Sequence, residues 1–260
     1  MHYIFVLLIL MTCSPKENNS TQESPVTVEK PKTSSSIQPS AIDKDFLLGK
    51  YDPTTHKDFM IIPNAYASRE GMLIQKKVWE DYKRMHEEAQ KSGVNLTIVS
   101  ATRNNDYQKG IWEKKWKTKA AAYKSPLTEK DKIAIANDIL RFSSMPGTSR
   151  HHWGTDIDLN DLEPEYFKKG PGKKVYDWLK KNAAAYGFCQ TYTSKSWGRE
   201  GYEEESWHWS YMPLSDNYLK EYVKQVKLED ICCFLGSDVV SNLDVINVYV
   251  KGINPGCKAN

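Results

Sequence analysis

Apolar positions change rhythm several times along the chain, and those changes predict its elements. From about Gly71 to Ser92, Leu73, Val78, Trp79, Tyr82, Met85 and Ala89 recur at helical spacing, and Gly93 supplies a stop. Val94 to Ser100 alternates and is rich in branched side chains, which predicts a short strand. Asn104, Asn105 and Asp106 offer caps for a helix running through Trp112 and Trp116. Asp131 to Phe142 reads as another helix, and Lys173 to Tyr186 (KKVYDWLKKNAAAY) as an amphipathic one. Strand-like pieces stand at Asp156 to Leu159, Phe188 to Tyr192 and Ser206 to Met212. Helices interleaved with short strands predict an α+β domain, a small antiparallel sheet flanked by helices. The tail from Ile231 to Asn260 carries Val239-Val240 and a branched run from Val245 to Val250, read as one extra hairpin or a small accessory piece.

The beginning of the chain is different in character. Tyr3 to Met11 (YIFVLLILM) is apolar but too short to span a bilayer, which fits the hydrophobic region of an export signal. The segment Leu10-Met11-Thr12-Cys13 resembles a bacterial lipoprotein box, although Thr12 stands where Gly or Ala is usual and no Lys or Arg precedes the run. That resemblance implies acylation of Cys13, hence an exported, membrane-anchored lipoprotein facing the periplasm or cell envelope. Secretion by simple cleavage is the other reading. Residues 14 to 43 are rich in Ser, Thr, Pro, Lys and Glu and nearly free of large apolar groups, so they predict a disordered tether. The expected organisation is a signal peptide (1–12), lipidated Cys13 with a flexible linker (13–43), a globular domain (44–226) and a C-terminal extension of unassigned role (227–260).

Composition narrows the picture further. With 36 basic and 33 acidic side chains in 260 residues, the formal charge is only +3, and the lysines are dispersed. Nucleic acid is therefore not an expected partner. A mean hydropathy of -0.63 excludes a multi-span membrane protein. There are five cysteines. Setting Cys13 aside leaves Cys189, Cys232, Cys233 and Cys257, enough for two disulfides in an oxidising compartment, or else free thiols. Cys232 and Cys233 are poor partners for each other, because vicinal bridges are strained.

Three segments could carry chemistry. In Ser149-Arg150-His151-His152-Trp153-Gly154-Thr155-Asp156-Ile157-Asp158, a glycine that permits a tight turn separates a histidine from a later aspartate. In Glu205-Ser206-Trp207-His208-Trp209, an acid precedes another histidine by three residues. Two histidines and one carboxylate leave a zinc ion an open position for water, the arrangement of catalytic sites. A neighbouring glutamate can then move the proton. In Ser100-Ala101-Thr102-Arg103, a guanidinium at the end of a predicted strand can stabilise an oxyanion or clamp a carboxylate. Trp207 and Trp209 are packing residues around such a site or a stacking platform.

Together these segments resemble the VanY-type D-alanyl-D-alanine carboxypeptidases of zinc peptidase family M15. The family pattern Ser-x-His-x-x-Gly-x-Ala-x-Asp is matched at Ser149, His151, Gly154 and Asp158; Glu-Pro-Trp-His at Glu205, Trp207 and His208; and Ser-Gly-Tyr-Arg-Ser-x-x-x-Gln at Ser100, Arg103 and Gln108. The resemblance covers roughly Asp45 to Leu214. It implies the Hedgehog/DD-peptidase-like fold, with Zn2+ bound by His151, Asp158 and His208, Glu205 as general base and Arg103 as the second catalytic residue. Gln108, Ser149, Ser100 and Trp207 would contact substrate. The implied activity is removal of the terminal D-alanyl-D-alanine-type residue from peptidoglycan stem peptides by a monomer. An L,D-carboxypeptidase, a cross-link endopeptidase and a non-catalytic wall-binding lipoprotein are the alternatives.

Two local features test this resemblance. Asp156 stands where the family usually has alanine, as a competing ligand, a partner behind the ligands or a change of specificity; His152 is a rival for the metal. Glu205 and His208, three apart, would face opposite sides of a flat strand, so a bend or bulge near Ser206 is required.

Overall fold

The computed structural model describes residues 42–257 of the chain. The expected export signal, Cys13 and all but the end of the linker lie outside the described residues. Helix α1 (Lys44–Leu47) opens the described part, with Asp43 capping it by accepting from the Asp45 amide. Strands β1 (Phe59–Ile61) and β2 (Leu73–Gln75) then pair antiparallel as a separate two-stranded ribbon. The helix expected from Gly71 therefore begins only after β2, and α2 spans Lys76–Lys91. The helical spacing of Leu73 with Val78 was misleading, because strand pairing with β1 claims the first residues of that run.

Four strands form the central sheet: β3 (Ile98–Ser100), β4 (Asp156–Leu159), β5 (Phe188–Gln190) and β6 (His208–Tyr211), in the spatial order β3-β4-β6-β5. All neighbours are antiparallel, as the pattern predicted. Helices surround it: α3 (Asn105–Ala120), capped by the Asn104 side chain; α4 (Glu129–Ile139), entered through a Thr128–Asp131 capping box; and α5 (Gly170–Asn182). Each lies within a few residues of its expected span. Helix α6 (Met212–Gln225) had no counterpart in the reading. It starts directly at the end of β6, with Pro213 in its first turn, where a missing amide hydrogen costs nothing.

Two apolar clusters hold these layers together. One face of the sheet presents Ile157, Leu159, Phe188, Trp209 and Tyr211 to Val78, Tyr82 and Met85 of α2 and Val175 and Leu179 of α5. The second cluster gathers Trp112 and Trp116 of α3, Ile135 and Ile139 of α4 and Tyr222 of α6. Burying these side chains is the main favourable term in folding, at about 1.5–3 kcal/mol for each large one.

The tail joins the second cluster rather than forming a hairpin. Ile231, Phe234, Val239, Val240, Val245 and Val250 are buried there, with 3-10 turns at Ser237–Asn242 and a π-turn at Ile246–Val250. Branched residues favour strands only where a pleated surface receives them, and here burial in a helical setting wins. The tail also braces the sheet: Cys257 is disulfide-bonded to Cys189 of β5, with Cα atoms 5.6 Å apart, and the Asn254 amide donates to Thr191 O at 2.8 Å. Cys232 and Cys233 are free and exposed, so one bridge forms of the two the count allowed.

Candidate metal centre

The turn that carries His151 is local in origin. Arg150–Trp153 forms a single 3-10 turn, and Gly154 ends it at φ +68 before β4 begins. A side chain at Gly154 would also overlap the ring of Phe59, so both backbone angle and space require glycine. In the ring of His151, Nδ1 faces the carbonyl of Ala101 at 2.7 Å. A carbonyl only accepts, so Nδ1 carries the hydrogen and Nε2 presents a lone pair to the interior.

His208 is oriented by a different partner. It opens β6, and its Nε2 lies 2.8 Å from Asp156 Oδ2. With Nε2 donating there, Nδ1 turns toward Asp158 Oδ1 at 3.1 Å and toward His151 Nε2 at 3.3 Å. Asp158 lies directly opposite His208 in the β4–β6 register, and its Oδ2 is 3.4 Å from His151 Nε2. The donor atoms of His151, Asp158 and His208 all fall within 4.8 Å of one another.

This triangle needs a cation. Two imidazole lone pairs and a carboxylate face each other in a buried space, and Asp158 Oδ1 has no hydrogen-bond donor. Either a proton on one ring or a metal ion must sit between them. Burial alone would lower the pKa of His208, but its hydrogen bond to Asp156 and the nearby charges of Asp158 and Asp156 raise it to about 9. Burial alone would raise that of Asp158, yet His151 and His208 hold it well below the usual carboxylate range. The N, N, O donor set and the unpartnered carboxylate oxygen fit a divalent ion such as zinc.

The bend required before His208 is present. Strand β6 starts at His208, not Ser206, and a turn through Ser206 and Trp207 is closed by His208 N–H to Glu205 O at 3.4 Å. This brings Glu205 Oε2 to 3.5 Å from His208 Nδ1. Burial raises the pKa of Glu205 to about 8, with Asp158 adding to the rise and His208 and Arg103 opposing it. The loop that delivers Glu205 is clamped from inside by Arg199, which donates to Thr193 O, Glu200 O, Tyr202 O and Glu203 O.

The centre lies in the wall of a cavity of about 500 Å³, which Arg103, Ser149, Glu205 and Trp207 also line. Arg103 Nη1 is 3.9 Å from Asp158 Oδ2 and 3.3 Å from Ser100 Oγ, while its Nε has no partner. Ser149 Oγ is likewise unpartnered. Ser100 and Gln108 are not among the lining residues: Ser100 accepts from Arg103, and Gln108 donates to Ser144 O at 2.7 Å. Trp207 packs against Phe142 and Phe167 and lines the cavity, whereas Trp209, in the same apolar cluster, does not line it. His152 is buried with both nitrogens engaged, Nδ1 with Arg103 O at 2.6 Å and Nε2 with the Gly147 amide at 3.0 Å, so it is a structural lock and no rival ligand.

Asp156 is no ligand of the triangle either; it backs His208. Arg150 and Ser210, which contact it, escaped the sequence reading altogether. The available signal was an arginine directly beside His151: an arginine packed behind a site demands a carboxylate, and Asp156 is the first acid that follows it in the chain.

Comparison with known proteins places the chain in a family. Residues 71–214 match the family described as VanY, D-alanyl-D-alanine carboxypeptidase. The chain belongs to that family, and so to the peptidases of the carboxypeptidase class. Among curated proteins it is 28% identical over 205 residues to the Bacillus subtilis (strain 168) protein named "Putative carboxypeptidase YodJ", covering 72% of this chain and 67% of that one. Among solved structures, the LdcB LD-carboxypeptidase aligns with a TM-score of 0.48 and 27% identity, over 69% of this chain and 81% of LdcB. The vancomycin-resistance D,D-pentapeptidase VanY, a mutant in complex with Zn(II), aligns with a TM-score of 0.44 and 25% identity, over 66% of this chain and 93% of that one.

Proposed function

We propose that this chain is a zinc-dependent carboxypeptidase that removes the terminal D-alanyl-type residue from peptidoglycan stem peptides. The observation that carries the reading is the meeting of His151 Nε2, His208 Nδ1 and the Asp158 carboxylate, with Glu205 beside them in a cleft wall. His151, Asp158 and His208 would hold zinc, which would supply Lewis acidity toward a peptide carbonyl and toward water.

The chain's own groups supply the rest. Glu205 takes a proton from the attacking water and returns it to the departing amine, a task suited to a carboxyl group whose proton affinity burial has raised toward working pH. Arg103 offers the guanidinium hydrogens that stabilise negative charge developing on the scissile carbonyl oxygen. Ser149, with its hydroxyl unpartnered, is a substrate contact on the same wall. Ser100 and Gln108 act from behind, through Arg103 and Ser144. Phe142 and Trp207 give the cleft an apolar side on which a substrate side chain can rest.

Export, acylation at Cys13 and action as a monomer at the cell envelope complete the reading, because the substrate lies outside the cytoplasm. Two measurements test it. Full-length protein is incubated with stem pentapeptide before and after removal of metal by a chelator, and products are identified by mass. Release of a single terminal alanine that stops on chelation and returns with zinc is expected; release unaffected by chelation rejects the mechanism. Cleavage of tetrapeptide or of cross-linked dimers in preference to pentapeptide would reassign the specificity within the same chemistry. For the anchor, radiolabelled palmitate should enter the wild-type protein and not Cys13→Ala.

A further inference from the structure

Asp156 has no role in the mechanism above, yet the structure surrounds it more completely than any ligand. It is fully buried, at 0% exposure. Its Oδ2 accepts from His208 Nε2 at 2.8 Å and from Arg150 Nε at 3.0 Å. Its Oδ1 accepts from Ser210 Oγ and from Thr155 Oγ1, both at 2.8 Å. Arg150, itself 1% exposed, also donates through Nη2 to Ser210 Oγ at 2.7 Å and lies over the Trp153 ring. Four donors thus converge on one carboxylate, and one of them is a ring whose other nitrogen faces the metal triangle.

A neutral imidazole exists as two tautomers, and only one leaves a lone pair on the nitrogen that must bind metal. His151 has a backbone carbonyl to settle this question. His208 has no carbonyl there; it has Asp156, a full negative charge. A carboxylate behind a ligating histidine fixes the tautomer, restrains ring rotation and makes the opposite nitrogen a stronger donor. The same charge could not be buried alone, since an unpaired carboxylate at that depth costs several kcal/mol. Arg150 neutralises it through a direct hydrogen bond to the same oxygen that His208 uses. The register explains how the parts meet: Asp158 pairs with His208 and Asp156 with Ser210, two residues along on the same face of the same strand pair.

We propose that Asp156, held by Arg150 and Ser210, is a positioning residue that fixes His208 for metal binding and tightens this chain's hold on zinc. The proposal rests on the zinc reading above. It makes residue 156, two positions before the aspartate of the triangle, a determinant of metal affinity that does not touch the metal.

The test uses full-length, metal-stripped protein and titrates zinc against a chromophoric chelator. Asp156→Ala should weaken zinc binding by about 10- to 100-fold. Asp156→Asn should fall between it and wild type, because the amide oxygen still accepts from Nε2 while the charge is gone. Cobalt(II) replaces zinc in a parallel set, and the visible absorption of Asp156→Ala should differ from wild type in position or intensity, which loss of stability alone would not produce. Should Asp156→Ala leave Arg150 unpaired and fail to fold, the double variant Arg150→Met, Asp156→Ala removes both charges and should show the same weakened binding. Zinc affinities within about twofold of wild type together with superimposable cobalt spectra, in either variant, overturn the proposal. If wild type binds tightly and the variants match it, the zinc reading survives and only this proposal falls. If wild type itself binds no zinc, both fall together.

Discussion

The two faces of the central sheet are built from alternate residues of the same strands, yet they do different work. Along β4, Asp156 and Asp158 point one way and Ile157 and Leu159 the other; along β6, His208 and Ser210 oppose Trp209 and Tyr211. Every one of these eight residues is buried. On the apolar face, burial is favourable in itself, and each side chain adds to a cluster whose members are partly interchangeable. On the polar face, burial is costly, and each group is tolerable only because a named neighbour compensates it. The chemistry is therefore concentrated where substitutions have no substitute, and the stability is concentrated where they do.

That contrast predicts a graded set of effects. The largest belongs to the triangle: His151→Ala, Asp158→Ala or His208→Ala should abolish stoichiometric zinc in metal analysis and with it all measurable turnover. Glu205→Gln should come next, lowering kcat by about 10²- to 10⁴-fold while zinc content remains that of wild type. Loss of zinc in this variant would mean that Glu205 is a ligand rather than the proton carrier. Arg103→Ala should reduce kcat by about 10²- to 10³-fold. An effect confined to KM would move Arg103 from oxyanion to ground-state binding. On the other face, Trp209→Ala should lower stability by about 3–5 kcal/mol in denaturant titration, with zinc affinity of the folded fraction kept. Equal damage to both properties would show that the faces are not separable.

The smallest expected effect is a pH dependence of the metal-free protein. The pKa of Glu205 is raised by burial from 4.5 to about 8. His208 rises from 6.5 to about 9 because its carboxylate partners outweigh burial. A group whose pKa is raised on folding contributes stability that is complete below its unfolded value and disappears as pH passes its folded value. Both groups therefore act in one direction, and the thermal midpoint of metal-free protein should fall as pH rises from roughly 6.5 to 9. Glu205→Gln should make that decline shallower. A midpoint that rises over the same interval would mean that the triangle is not held by a proton when metal is missing.

Much of the polar face was legible in the chain itself, and the reason is its local construction. His151, Gly154 and Asp158 sit within one turn and one strand, and their match to the family pattern, rather than their spacing alone, marks them out. The need for a bend at Ser206 was also readable, since three residues cannot bring Glu205 and His208 together on a flat strand. Other features were not. Strand β1 and the first residues of β2 were hidden because a three-residue strand is defined by its partner, not by its own pattern. The branched run at Val245–Val250 reads as a strand and folds as a helical turn, because the apolar pocket waiting for it belongs to residues far away in sequence.

By itself the sequence determined which groups this protein has to offer: two imidazoles, two carboxyl groups and a guanidinium, in segments whose spacing favours turns and short strands. Only the tertiary structure decided that His151 faces Asp158 and His208 while His152 locks the backbone, and that Asp156 stands behind His208. The physical reason is that a side chain's role follows from its hydrogen-bond partners and its dielectric surroundings. For Asp156 and His208, 52 residues apart, those are set by strand register across the sheet.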